Sequence, residues 1–296
     1  MRRFAAETAR DLRHSIAYVN AWMAPRSLPT ASRLHQAVAE LDQLAKDGNF
    51  ASSDPARQRG MRAIQLALDV FAIASALPVA RVADMRKDIE KCAEGALAPA
   101  ANDLAPLQAQ SQLIIRAAYF RAGVAPTQPT YSGSLGKTKP DIILENGLST
   151  YGVEVKRPTL LKNAVARAKD AADQLLNADL RGGIVIDITD SVEDATAADS
   201  AVQAQAAAIS DEFFVHGSGW KPGCRHVMMV AVIARPAWHL VLTGDQEGQV
   251  MIHSTSCVAA FGTARGTLDT IHSHWMRKNL NTGLNKLGFT SQESKP

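Results

Sequence analysis

The sequence predicts an α/β protein, a mixed sheet flanked by helices, with a helical amino-terminal region before it. Three observations lead there. Apolar residues recur at helical spacing through much of the first hundred positions. From residue 107 onward the texture changes to helix, strand, strand, helix, strand. Farther along, VMMVAVIA and WHLVLTG have the apolar character of late sheet strands. The expected division is a helical region over 1–105 and an α/β domain over 106–290.

The elements follow in order. RLHQAVAELDQLAKDG has apolar positions at helical spacing and Gly48 as a stop. Asp54 and Pro55 offer a cap and first turn for a helix through ARQRGMRAIQLALDVFAIASAL, which Pro78 ends. VADMRKDIEKCAEGAL makes another helix, and GALAPAANDLAP, residues 95–106, reads as a linker. LQAQSQLIIRAAYFRAG is an amphipathic helix ending at Gly123, followed by turn-rich chain through Gly136. DIILE and YGVEVK are short strands separated by NGLST, with Asn146 and Gly147 marking the hairpin turn. Pro158 permits a break before the helix LLKNAVARAKDAADQLLNA, and Gly182 and Gly183 precede the strand IVIDIT. Residues 191–212 are Ala-rich and helix-compatible. MIHSTSCVAAF adds a strand or an irregular edge element, IHSHWMRKNLNTGL a short helix, and QESKP a polar tail.

Composition narrows the classes. A chain of 296 residues, 46% hydrophobic, can bury a core without metal or disulfide staples and is not globally disordered. Its 32 basic and 29 acidic side chains leave +3, spread without a basic tail or single-sign block. Any nucleic-acid surface must therefore be assembled by folding. MRRFAAETARDLRHSIAYVN lacks the apolar core of a signal peptide, and VFAIASALPVA is too short for a membrane span. Cys92, Cys224 and Cys257 have no paired spacing. A reducing, cytoplasmic setting with no membrane partner is the expectation.

The chemistry concentrates in KPDIILENGLSTYGVEVKRP, residues 139–158. Asp141 opens the first strand. Glu154 and Lys156, two apart on the second, point to one face, and the hairpin can bring Asp141 beside them. Two carboxylates furnish hard oxygen ligands for Mg²⁺. A neighbouring lysine can stabilise developing phosphate charge or help orient and deprotonate water. Other polar features are weaker. YSGSLGKTK lacks P-loop spacing, although Lys137 and Lys139 can approach a nucleic-acid backbone. His253, His272 and His274 lack diagnostic metal spacing, and Ser254 and Ser256 do not sit in a nucleophile elbow. Arg157 and Arg181 are candidate phosphate contacts that solvent-facing element ends explain nearly as well.

Asp141 preceded by Pro140, and followed past the turn by Glu154, Val155 and Lys156, resembles the signature of the PD-(D/E)xK nuclease superfamily. The resemblance covers roughly residues 107–190, less than a third of the chain. It implies a restriction-endonuclease-like fold, a mixed sheet between helices, and metal-dependent cleavage of nucleic acid by an endonuclease or exonuclease, DNA favoured over RNA. By that resemblance Asp141 and Glu154 bind Mg²⁺ or Mn²⁺, the Val155 carbonyl completes the shell, and Lys156 assists water attack. Many members carry a glutamate on the preceding helix. The matching phrase SQLIIRAAYFRAG places Gln112 there, which can orient water or offer a carbonyl but supplies no charge. Lys169 and Gln174, on the following helix, stand where such nucleases use a basic residue or glutamine to support the site. The helical region would regulate access, recognise substrate or support a homodimer. Two alternatives remain open. One is a catalytically inactive nuclease-like module that binds nucleic acid or protein. The other is a structural protein in which Glu154 and Lys156 form a salt bridge on an edge strand and Asp141 is a turn residue.

Overall fold

A computed structural model describes residues 17, 20–21, 28, 31–47, 54–76, 86–97, 104–126, 139–147, 149–192, 195–215, 225–235, 239–242, 250–253, 258–263 and 267–287. Lys137, Cys224, Cys257, Ser254, Ser256, residues 98–103 of the linker and residues 127–138 before Lys139 lie outside them. In chain order the helices are α1 (Arg33–Asp47), α2 (Asp54–Ala76), α3 (Arg86–Ala93), α4 (Ala105–Ala122), α5 (Ala164–Asn177), α6 (Ala195–Ser210) and α7 (Thr267–Lys286). The strands are β1 (Ile142–Asn146), β2 (Ser149–Lys156), β3 (Gly182–Asp187), β4 (Val227–Ala234), β5 (His239–Leu242), β6 (Val250–His253) and β7 (Val258–Thr263). No helix among the described residues is long and apolar enough to cross a membrane.

The chain packs as two units, Met1–Leu113 with Ala237–Thr255, and Ile114–Pro236 with Ser256–Pro296. In the first, Leu34, Ala37 and Leu41 of α1 and Ile64, Leu66, Val70 and Ile73 of α2 are buried at helical spacing, as the periodicity requires. A polar chain is buried with them. Arg33 donates to the Cys92 carbonyl (2.9 Å) and to Gln110 Oε1 (3.0 Å), and Gln110 Nε2 donates to Asp69 Oδ2 (2.5 Å).

The second unit is built on a five-stranded sheet in the order β1-β2-β3-β4-β7. The outer pairs β1–β2 and β4–β7 are antiparallel, and β2–β3 and β3–β4 are parallel. Right-handed crossovers that add strands in one direction leave their helices on one face. Accordingly Ala168, Ala172 and Leu175 of α5 and Val202 and Ile209 of α6 pack with Ile184, Ile186, Val230 and Val232. On the opposite face, Ile115, Ala118 and Tyr119 of α4 and Met276, Leu280 and Leu284 of α7 pack with Val153, Val155, Val185, Ala231 and Ile233. Along β2 the alternation therefore turns valines toward α4 and α7, and Glu154 and Lys156 toward α5.

Several expectations are corrected. WHLVLTG does not join the main sheet. Its strand β5 pairs antiparallel with β6 in a separate two-stranded sheet, and the interval 243–249 between them in sequence is too short for a crossover. MIHSTSCVAAF divides between β6 and β7. The β1–β2 turn is displaced by one residue: Asn146 pairs with Ser149, so the loop is 147–148, with Gly147 at φ +62°. The expected short last helix is 20 residues long. Its buried apolar residues in this core include Met276, Leu280 and Leu284, with Trp275 partly buried beside them, and a Cβ on Gly283 would lie 1.8 Å from the Ala118 carbonyl oxygen of α4. Finally, β2 lies between β1 and β3, so Glu154 and Lys156 are not on an edge strand.

Candidate active site

The site assembles where β1 begins and β2 ends. Asp141 immediately precedes β1, whose first ladder pair is Ile142 with Val153. Extending that register sets Asp141 opposite Glu154. Its side chain is fixed by the main chain of β2, since the Val155 N–H donates to Asp141 Oδ2 at 2.8 Å. Lys156 Nζ donates to Glu154 Oε2 at 2.9 Å and to Gln174 Oε1 of α5 at 2.5 Å, and stands 3.9 Å from Asp141 Oδ2. One ammonium thus links both carboxylates and an amide oxygen. The side chains of Asp141 and Lys156 are 19% and 15% exposed, whereas that of Glu154 is 1% exposed and forms the floor.

Burial, and then the negative charge of Asp141, push the Glu154 carboxyl up to about 8 against the lowering pull of Lys156. Near neutral pH the proton therefore stays on Glu154 unless positive charge arrives. Glu154 Oε1 is buried and has no hydrogen-bond partner among the described residues. A divalent cation against that oxygen would meet the need for a partner and offset the burial cost. Paired hard carboxylate oxygens suit Mg²⁺ or Mn²⁺. The set is small: among the described residues, no group of three or more His, Cys, Asp or Glu side chains is arranged to hold a metal ion.

The remaining candidates take different places. Arg157 is 6% exposed and turns away from Lys156 toward the buried Asp187 and the partly buried Asp190, with its Nε donating to Asp190 Oδ2 at 2.6 Å and its Nη1 3.8 Å from Asp187 Oδ2. Burial alone would lower its pKa, but Asp190 and Asp187 outweigh that and raise it. It is not a solvent-facing strand end. Lys139 is exposed, two residues before Asp141. Lys169 of α5 pairs with Glu212 at 2.6 Å. Gln112 is half-buried on α4, in the part of that helix that belongs to the first unit. Within the second unit the structure thus gathers Asp141, Glu154, Lys156, the Val155 main chain and Gln174.

Two features escaped the sequence reading. Arg116 of α4, 5% exposed, donates from Nη2 to the Asp141 carbonyl oxygen at 2.5 Å. At the carboxyl ends of β3 and β4, Asp187 is fully buried and accepts from Arg235 Nη2 at 2.7 Å and from the Thr189 N–H at 3.1 Å, while the Arg235 N–H donates to Thr189 Oγ1 at 3.0 Å. The available signal was a charge inside an apolar run: Arg116 in LIIRAAYF and Asp187 in GIVIDI.

The chain matches no protein-family model. No curated protein and no solved structure matches it either.

Proposed function

We propose that this chain is a metal-dependent nuclease of the restriction-endonuclease-like kind, hydrolysing phosphodiester bonds, with DNA favoured over RNA. The observation that carries the reading is the convergence of Asp141, Glu154 and Lys156 on an interior strand, with Glu154 Oε1 buried and unmatched. Apolar side chains occupy the equivalent face of β3 and β4, so three ionisable side chains at this position need a reason beyond packing. The element order around them, helix, hairpin, helix, strand, also agrees with the motif resemblance.

In this reading Asp141, Glu154 and the Val155 carbonyl hold Mg²⁺, with Mn²⁺ as a substitute. The bound ion supplies Lewis-acid polarisation of a phosphate oxygen and a more acidic water. The chain's own residues do the rest. Asp141 is held to β2 by the Val155 amide, so its carboxylate is oriented before substrate arrives. Lys156 directs its charge across the carboxylate pair and is partly open to solvent, where it can stabilise negative charge developing on phosphate or orient water. Gln174 fixes the direction of that ammonium.

A second reading has one observation in its favour: only two carboxylates converge, and the residue matching the family's helix acid is the neutral Gln112. That suits a catalytically inactive nuclease-like module binding nucleic acid or protein. Incubating the full chain with labelled single- and double-stranded DNA and RNA, in Mg²⁺, Mn²⁺ or EDTA, separates the readings. Cleavage that requires the divalent ion supports the nuclease. Retention of nucleic acid without turnover supports the module, and either that result or the absence of both binding and cleavage refutes the nuclease.

A further inference from the structure

Asp141 stands outside the β1–β2 ladder, which starts one residue later at Ile142 and Val153. Its side chain is tied to β2 by the Val155 amide. Its carbonyl is tied to a different layer, because Arg116 reaches it from α4 on the opposite face of the sheet.

Arg116 is an exception in its surroundings. Leu113, Ile114, Ile115, Ala117, Ala118 and Tyr119 are all fully buried around it in sequence, and Arg116 itself is 5% exposed. Burying a guanidinium in such a stretch is unfavourable unless it gains strong hydrogen bonds, and a methionine would fill the same space without that cost. One acceptor that this charge reaches is the peptide oxygen of the acidic residue at the site.

We propose that Arg116 is a positioning residue for Asp141: bonding the Asp141 carbonyl from α4, it sets where that carboxylate stands relative to Glu154 and Lys156. Its consequence for cation binding rests on the metal-site reading above; the placement itself does not. Hydrogen-bond partners that orient a metal-ligating group are worth about 10–100-fold in affinity when removed.

The test uses the full-length chain, deuterated and ¹⁵N-labelled, as wild type, Arg116→Met, Arg116→Lys, Asp141→Ala and, as a control in the core of the first unit, Leu66→Ala. Two quantities are read: the Val155 amide proton shift without metal, and the Mn²⁺ dissociation constant from water-proton relaxation. The expected result is that Arg116→Met moves the Val155 amide toward its Asp141→Ala position and weakens Mn²⁺ binding about 10–100-fold. Arg116→Lys, which keeps charge but loses the fork, falls between wild type and Arg116→Met. Leu66→Ala leaves both readouts unchanged despite lower stability. An unmoved Val155 amide in Arg116→Met, or in Arg116→Lys should the methionine variant not fold, overturns the proposal. Wild type that binds no Mn²⁺ overturns the metal-site reading instead, and the amide shift still decides the role of Arg116.

Discussion

Replacing Glu154 with Gln makes a neutral side chain of nearly the same shape and removes the titration that burial has displaced. The carboxyl is pushed from 4.5 up to about 8 in the folded protein, first by burial and then by Asp141. At about 1.36 kcal/mol per pH unit, full ionisation of Glu154 works against the fold by on the order of 5 kcal/mol. The sign follows from proton binding. Below pH 4.5 folded and unfolded chains both carry the proton. Between 4.5 and about 8 the unfolded chain has lost it while the folded chain retains it, so Glu154 makes stability fall as pH rises, with the loss complete above the folded value. Glu154→Gln lacks that slope. In EDTA, urea titrations at intervals from pH 4.5 to 8.5 should show the variant gaining steadily on wild type as pH increases. Adding Mg²⁺ at pH 8 should then stabilise wild type and leave Glu154→Gln almost unchanged. A stability difference that stays flat across this range, or moves the opposite way, refutes the electrostatic account of the site.

Two further outcomes follow from packing. Asp187→Asn leaves the buried guanidinium groups of Arg157 and Arg235 without their shared carboxylate, which lies 3.8 and 2.7 Å from them. Denaturant titration should show a loss of about 3–5 kcal/mol, and a loss below about 1 kcal/mol contradicts that picture. Gly182→Ala places a Cβ 1.7 Å from the Gly152 carbonyl oxygen, so β2 and β3 must move apart two residues from Glu154. Its thermal midpoint should drop by several degrees, consistent with about 1–3 kcal/mol, and amide exchange of β2 should quicken; wild-type behaviour in both would show that the strands part at no cost.

How far the sequence spoke depends on whether the signal was local. The α4 end was legible because Gly123 adopts φ +93° while the Val124 N–H reaches the Tyr119 carbonyl and the Gly123 N–H that of Phe120, a helix stop set by one residue type. The strands β3 and β4 were legible because they are buried on both faces and read as continuous apolar runs. The spacing of Glu154 and Lys156 already required a shared face. Pairing was harder. WHLVLTG has the composition of a core strand, and only its pairing with β6 in a separate sheet sets it apart. For α7, close approach to α4 at Gly283 replaces part of the apolar stripe that periodicity looks for. Arg157 looked like a phosphate contact, and Lys169 like a support for the site, because a sequence shows a charge and not its partner. Asp190 and Asp187 hold the first, and Glu212 meets the second. Arg116 was hidden for the same reason, since its acceptor lies 25 residues away on another element.

The most direct test is the initial rate of Mg²⁺-dependent cleavage by wild type, Asp141→Asn and Lys156→Met, each shown to be folded by a cooperative melt. If Asp141 and Glu154 hold the ion and Lys156 acts on the phosphate or its attacking water, wild type cleaves and both variants fall by about a hundredfold or more. Cleavage that persists at the wild-type rate in either folded variant contradicts the account.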